Sequence, residues 1–152
     1  MNMSPLRITI PGNPHPQGRG RIVRIRSKSG KDYPMIADPM KSRNWKATAR
    51  QHMTAAVLEW PSWKREGPLT VEILAVFECP RSQHRKKTRT TRRWHTSRRG
   101  DVDNIAKAVL DAGNGVLWID DAQVAELFVR KIVGMQDELP HVEVTVVRLS
   151  PM

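Results

Sequence analysis

A chain of 152 residues fits one domain with one hydrophobic core and needs no covalent staples. Its single cysteine, Cys79, excludes an internal disulfide; no apolar run reaches the roughly 20 residues of a membrane span, and the start, MNMSPLRITIPG, lacks signal-peptide character, so a cytoplasmic setting is expected. The net charge of +11 is concentrated: residues 81–99 hold nine Lys and Arg and no acid, and outside them 17 basic residues face 15 acidic ones.

Leu6, Ile8 and Ile10 alternate with polar residues and predict a first strand over 6–10, ended by Pro11, Gly12, Pro14 and Pro16. About thirty residues rich in Gly, Pro and Arg follow. Within them RIVRIR and DYPMI flank Ser29-Gly30, either as a hairpin or as part of a mobile binding segment. From Ser42 to Trp60 the pattern turns helical: Trp45, Ala49, Met53, Ala56 and Trp60 make one apolar stripe, and Pro61 stops it. Arg43, Lys46 and Arg50 lie off that stripe, open to solvent or DNA. Trp45, Trp60 and Trp63 are read as packing residues rather than base-stacking platforms.

Residues 69–79 are the clearest strand, with Val71, Ile73, Ala75, Phe77 and Cys79 facing one way. Leu74 and Val76 on the other face argue for a central position, and Cys79 reads as a packed thiol. The basic arm at 81–99 comes next. Like charges in such density repel one another and stay mobile until a polyanion neutralises them. Arg85, Lys86, Lys87, Arg89, Arg92, Arg93, Arg98 and Arg99, with Arg19 and Arg21 from the earlier loop, are the expected phosphate contacts. A helix over about 103–111 buries Ile105, Ala106, Val109 and Leu110, with Gly113 and Gly115 at its exit. Strands over 124–133 and 141–149, joined around Gly134–Pro140, are expected to pair antiparallel. The order β-α-β-α-β-β predicts an α+β domain over residues 1–152, a small mixed sheet with both helices on one face.

Behind the basic arm the charge reverses. Asp101, Asp103, Asp111, Asp120, Asp121 and Glu126 fall within residues 101–127, against Lys107 alone. An Asp at a helix start ordinarily caps it, worth about 1 kcal/mol. One Asp suffices for that, and the second is surplus. The stretch after the helix is long enough to return Asp120 and Asp121 to its start. Two carboxylates about 4 Å apart cost roughly 4 kcal/mol at an effective dielectric near 20, which a proton or a divalent cation relieves. Oxygen ligands without a His or Cys cluster point to Mg2+, with Mn2+ as a substitute, rather than zinc. A calcium loop beginning at Asp101 is excluded, because Ala106 stands where Gly is required and Ala112 where the bidentate Glu would be. Lys107 is four residues from both Asp103 and Asp111. Spacing leaves two readings level: an ion-pair ladder, or an ammonium that reaches the scissile phosphate.

The segment GDVDNIAKAVLDAGNGVLWIDDAQV, Gly100 to Val124, resembles the signature of RusA-type Holliday-junction resolvases: D-x-D-N-x-x-K at a helix start, D-A near its end, an N-G turn, and D-D-x-Q-V leading into a strand. Gly12 to Arg21 and Asp38 to Arg43 are similar to the looser N-terminal pattern of phage-borne members. The resemblance implies that Asp101, Asp103 and Asp121 bind Mg2+, that Asp120 assists them and that Lys107 is the catalytic lysine. It further implies an α+β homodimer that nicks opposed strands of a four-way DNA junction, leaving 5′-phosphate and 3′-hydroxyl ends, in recombination and repair. Two departures stand out: Gly113 replaces an apolar residue, which would shorten the helix, and the basic arm exceeds the minimal pattern. The rival readings are a non-enzymatic basic DNA- or RNA-binding protein and a Mg2+ nuclease for other branched or duplex DNA.

Overall fold

The computed structural model describes residues 4–150 and 152. Strands β1 (Leu6–Pro11), β4 (Leu69–Phe77), β6 (Val124–Val133) and β7 (His141–Arg148), with the two-residue β5 (Arg93–Trp94), form a five-stranded sheet ordered β1-β7-β4-β6-β5. β2 (Arg21–Arg26) and β3 (Asp32–Ala37) form a separate antiparallel ribbon, so the hairpin alternative is the one realised. Helices α1 (Met40–Glu59) and α2 (Val102–Gly113) complete the α+β fold.

The period-two pattern of the strands decides which face is covered. Ile8, Val144, Ile73 and Val129 align across four strands. The first three belong to one buried cluster with Ala49 and Met53 of α1 and Ile105 and Val109 of α2, and Val129 packs against it. Both helices therefore cover a single sheet face, as the amphipathic stripes predict. Cys79 is a buried thiol. No described helix is long and apolar enough to cross a membrane.

One expectation is overturned. β6 and β7 are not neighbours: β4 lies between them, parallel to β6 and antiparallel to β7. Alternation identifies a strand without naming its partner, and the 134–140 connection is long enough to pass over one intervening strand, about 5 Å from each neighbour. Gly113 also departs from expectation, because α2 runs through it. A Cβ there would meet the Trp118 ring at 2.3 Å, so the glycine makes room for a fully buried indole.

Candidate active site

α2 starts where the chain leaves the basic arm. Gly100 takes a positive φ of 81° beneath the Phe77 ring, and its carbonyl accepts from Lys131 Nζ at 2.9 Å. A side chain at this position would be strained and would collide with Phe77. Asp101 follows at the N-cap position of α2, yet its side chain makes no capping hydrogen bond. Asp103 lies in the first turn, and both residues are exposed. Neither carboxylate appears in an ion pair among the described residues. The capping role that would account for one of them is thus unused.

The second acidic pair divides its labour. Asp120 Oδ1 accepts from the Ala122 amide at 2.8 Å and caps the 3-10 turn Asp121–Gln123. Gln123 Oε1 accepts from the amides of Ile119 and Asp120, while its Nε2 donates to the carbonyls of Arg65 and Gly67. This locks the D-D-x-Q turn against the chain before β4. Asp120 is committed to that scaffold; Asp121, half-buried, takes part in no ion pair among the described residues.

The fold does not return Asp121 to Asp101 within one chain. Gly100 sits at the Phe77 end of β4, whereas Val124, just after Asp121, pairs with Leu69 at the other end. The two acidic pairs are separated by the length of the 12-residue α2, roughly 18 Å at ~1.5 Å per residue. Accordingly, no group of three or more Asp, Glu, His or Cys residues among those described could hold a metal ion.

Lys107 is exposed and forms no ladder with Asp103 and Asp111 among the described ion pairs. Asp111 instead meets Lys46 of α1 at 3.5 Å, and Lys46 also binds Asp38 at 2.6 Å. Lys46, expected to face solvent or DNA, is drawn inward because α1 and α2 pack side by side. Hydrogen bonds from Lys46 and Gln17 hold the Asp38 carboxyl below the usual carboxylate range, and Lys107 adds to that field.

Beside Asp101 opens a cleft of about 620 Å³, bounded by His15, Arg21, Lys41, Arg43 and Asn104. Burial pushes the His15 imidazole down, with the Lys41 ammonium acting the same way. His15, Asp38, Lys41 and Asn104 escape sequence reasoning as site residues. The D-P-M-K-S-R segment signals two of them and Asn104 is the N of D-x-D-N-x-x-K, while His15 leaves no local signature.

The basic arm is tethered rather than loose. Arg89 pairs with Asp137, and Arg92 pairs with Glu138. The Gln136 amide donates to Thr90 Oγ1, and the Gln136 side chain brackets the backbone of Arg85. The self-repulsion of the cations is offset by the acidic β6–β7 connection, whose Asp137 and Glu138 lie 48 and 46 residues from their partners Arg89 and Arg92. Arg93 is half-buried with its guanidinium 4.0 Å from Cys79 Sγ. Arg19, Arg21, Arg85, Lys86, Lys87, Arg98 and Arg99 are exposed, and none is in an ion pair among the described residues.

Residues 11–147 match the family described as endodeoxyribonuclease RusA. A Bacillus subtilis (strain 168) protein named "Uncharacterized protein YqaN" is 29% identical over 156 residues, covering 97% of this chain and 99% of its own length.

Proposed function

The chain belongs to the RusA endodeoxyribonuclease family, and from that premise we propose that it is a Mg2+-dependent homodimer that resolves four-way DNA junctions by paired symmetric nicks in recombination and repair. The observation that carries this reading is the uncommitted carboxylate of Asp101, in a cleft rimmed by Arg21, Lys41 and Arg43, with that of Asp103 in the first turn of the same helix. Acids next to cations in this way repel a phosphate unless a cation lies between.

The donor set fits a hard divalent ion. Asp101 and Asp103 offer carboxylate oxygens that are tied neither to the helix end nor to a cation, and Asp121 offers another. These three would hold Mg2+, with Asp120 fixing the turn that carries Asp121. When bound, the ion supplies Lewis acidity and a water of lowered pKa. Lys107, one helical turn beyond Asp103, offsets charge developing on the phosphoryl oxygens. The exposed cations of the arm, with Arg19 and Arg21, hold the flanking backbone.

A second copy of the chain supplies the missing proximity. β6 is paired with β4 on one side; on the other, β5 pairs with Ile132 and Val133 and the His95 amide donates to the Lys131 carbonyl, so that edge is covered only from Lys131 onward. Its uncovered stretch carries Leu127 and Phe128, 41% and 55% exposed, a combination that invites strand pairing. Antiparallel two-fold pairing centred there sets Val124 of one copy opposite Lys131 of the other. That brings Asp121 of one chain toward the Gly100–Asp101 corner that Lys131 holds in its mate. The result is two sites related by a dyad, the symmetry of opposed strands in a junction.

Incubation with labelled four-way junction, with and without Mg2+, tests the reading. Wild type should cut symmetrically with metal, and Asp101→Asn should bind and not cut. Binding without cutting across divalent metals and pH would instead leave a non-enzymatic DNA-binding protein. Equal cutting of plain duplex and flaps would leave a nuclease of other specificity.

A further inference from the structure

The β2–β3 ribbon is unlike the rest of the molecule. It stands apart from the main sheet, and its residues are mostly exposed. Two strands alone are marginal in water, yet the root of this ribbon is fastened. The Gln17 amide donates to the Asn104 carbonyl at 2.9 Å, and the Gly18 amide donates to Ser42 Oγ at 3.0 Å. A Cβ at Gly20 would meet Ile36 at 2.5 Å. The ribbon is therefore held at its base to the beginnings of both helices and projects from there.

Its two faces differ. Residues directly opposite across a ribbon share a face, so Arg21 with Ala37, Val23 with Met35, and Ile25 with Tyr33 lie on one side. Arg21, Val23 and Ala37 line the cleft that contains Asp101. An apolar strip thus leads from the carboxylate outward, ending at Met35 and Tyr33, 44% and 48% exposed. The other face bears Ile22 with Ile36, Arg24 with Pro34, and Arg26 with Asp32.

We infer that this cleft and the inner face of the ribbon form a site for one unpaired DNA nucleotide, its phosphate against Arg21 and Lys41 and its base laid on Val23, Met35 and Tyr33. The inference rests on DNA being the substrate, and charge selects the occupant. Residues 19–32 carry Arg19, Arg21, Arg24, Arg26, Lys28 and Lys31 against Asp32 alone. A second copy of the same ribbon would bring like charge, whereas a nucleotide brings the opposite. Paired bases bury their faces in the stack; an unpaired one offers a flat apolar face to an aromatic and aliphatic platform. The cleft, about 620 Å³, lies within the ~300–1,000 Å³ range of small-molecule sites. The strip adjoins Asp101, so a base held there lies beside the bond to be cut, and unpaired DNA becomes a determinant of where the protein acts.

The test is binding in EDTA, so that nothing is cut, to three DNAs: perfect duplex, the same duplex with a one-nucleotide bulge, and the same bulge made abasic. Wild type should prefer the intact bulge over both others by roughly tenfold. Tyr33→Ala with Met35→Ala should lose that preference and keep its affinity for perfect duplex. Ile22→Ala with Ile36→Ala, on the outer face, should keep the preference. Circular dichroism and the thermal midpoint verify folding of each variant. Equal binding of intact and abasic bulges by wild type, or a preference that survives the inner-face substitutions, overturns the inference. If four-way junctions are still resolved, the functional reading survives that result; absence of DNA binding altogether overturns both.

Discussion

Lys131 of β6 donates to the carbonyl of Gly100 at 2.9 Å and to that of Ser97 at 3.1 Å. One ammonium thereby fixes the residue before Asp101 and the end of the basic arm. Lys131→Met should lower junction cutting by about tenfold, equivalent to ~1.4 kcal/mol in the barrier, with junction binding nearly unchanged. Cutting rates at saturating protein, set beside binding measured without metal, check this. A parallel loss of affinity would make Lys131 a phosphate contact instead.

A site shared between copies has a genetic signature. Asp101→Asn and Asp121→Asn homodimers should each be inactive. Random mixing should make half the dimers hybrid, each with one intact site, and recover roughly a quarter of wild-type nicking. These hybrids should nick junctions without pairing their cuts. Mixtures that stay inactive, although dimers exchange, would place all three acids in one chain.

The Arg92–Glu138 pair links the arm to the β6–β7 connection. The guanidinium of Arg92 holds the Glu138 carboxyl below its ordinary value of 4.5, although burial opposes the shift. A carboxyl lowered by folding stabilises the protein fully above about pH 4.5 and loses that contribution as the pH falls through the folded-state value. Glu138→Gln should therefore cost about 1 kcal/mol at pH 7, discounted for the 43% exposed Arg92 side chain. The cost should shrink toward pH 3. Thermal unfolding at the two pH values measures it, and trypsin should cut the 81–99 arm of the variant faster at pH 7.

Gly113→Ala drives a methyl group into the Trp118 ring, whose Nε1 is engaged by Asn114 Oδ1 at 2.8 Å. Overpacking of this kind costs about 1–3 kcal/mol. It should outweigh the higher helix propensity of Ala, up to ~1 kcal/mol. Urea unfolding followed by tryptophan emission should show a lower midpoint; an unchanged or higher one would mean that the indole moves aside freely.

Local pattern carried much of this structure in plain view. The alternation of Ile8 and Ile10 and the run from Val71 to Phe77 gave their strands, and Ile105, Ala106 and Val109 the buried side of α2. The capping of the 3-10 turn by Asp120 and Gln123 was not read from the sequence, where Asp120 stood beside Asp121 as a helper of the metal. Nor were pairings across long sequence separations. Lys46 gives no local hint that Asp38 and Asp111 will flank it, and the β7 alternation is the same whichever strands neighbour it. The return of Asp121 to Asp101 failed for a related reason: chain length sets what can be reached, while the parallel register of β4 with β6 decides which end of the sheet is reached.

The opposed positions of Asp101 and Asp121 have a bearing on safety in the cell. With Asp101, Asp103 and Asp121 holding the metal as proposed, a solitary chain would carry two half-sets of ligands and no complete one, leaving a newly made molecule harmless to the chromosome around it. Cutting would then rise with the square of protein abundance when copies are scarce, so that expression level itself acts as the trigger guard.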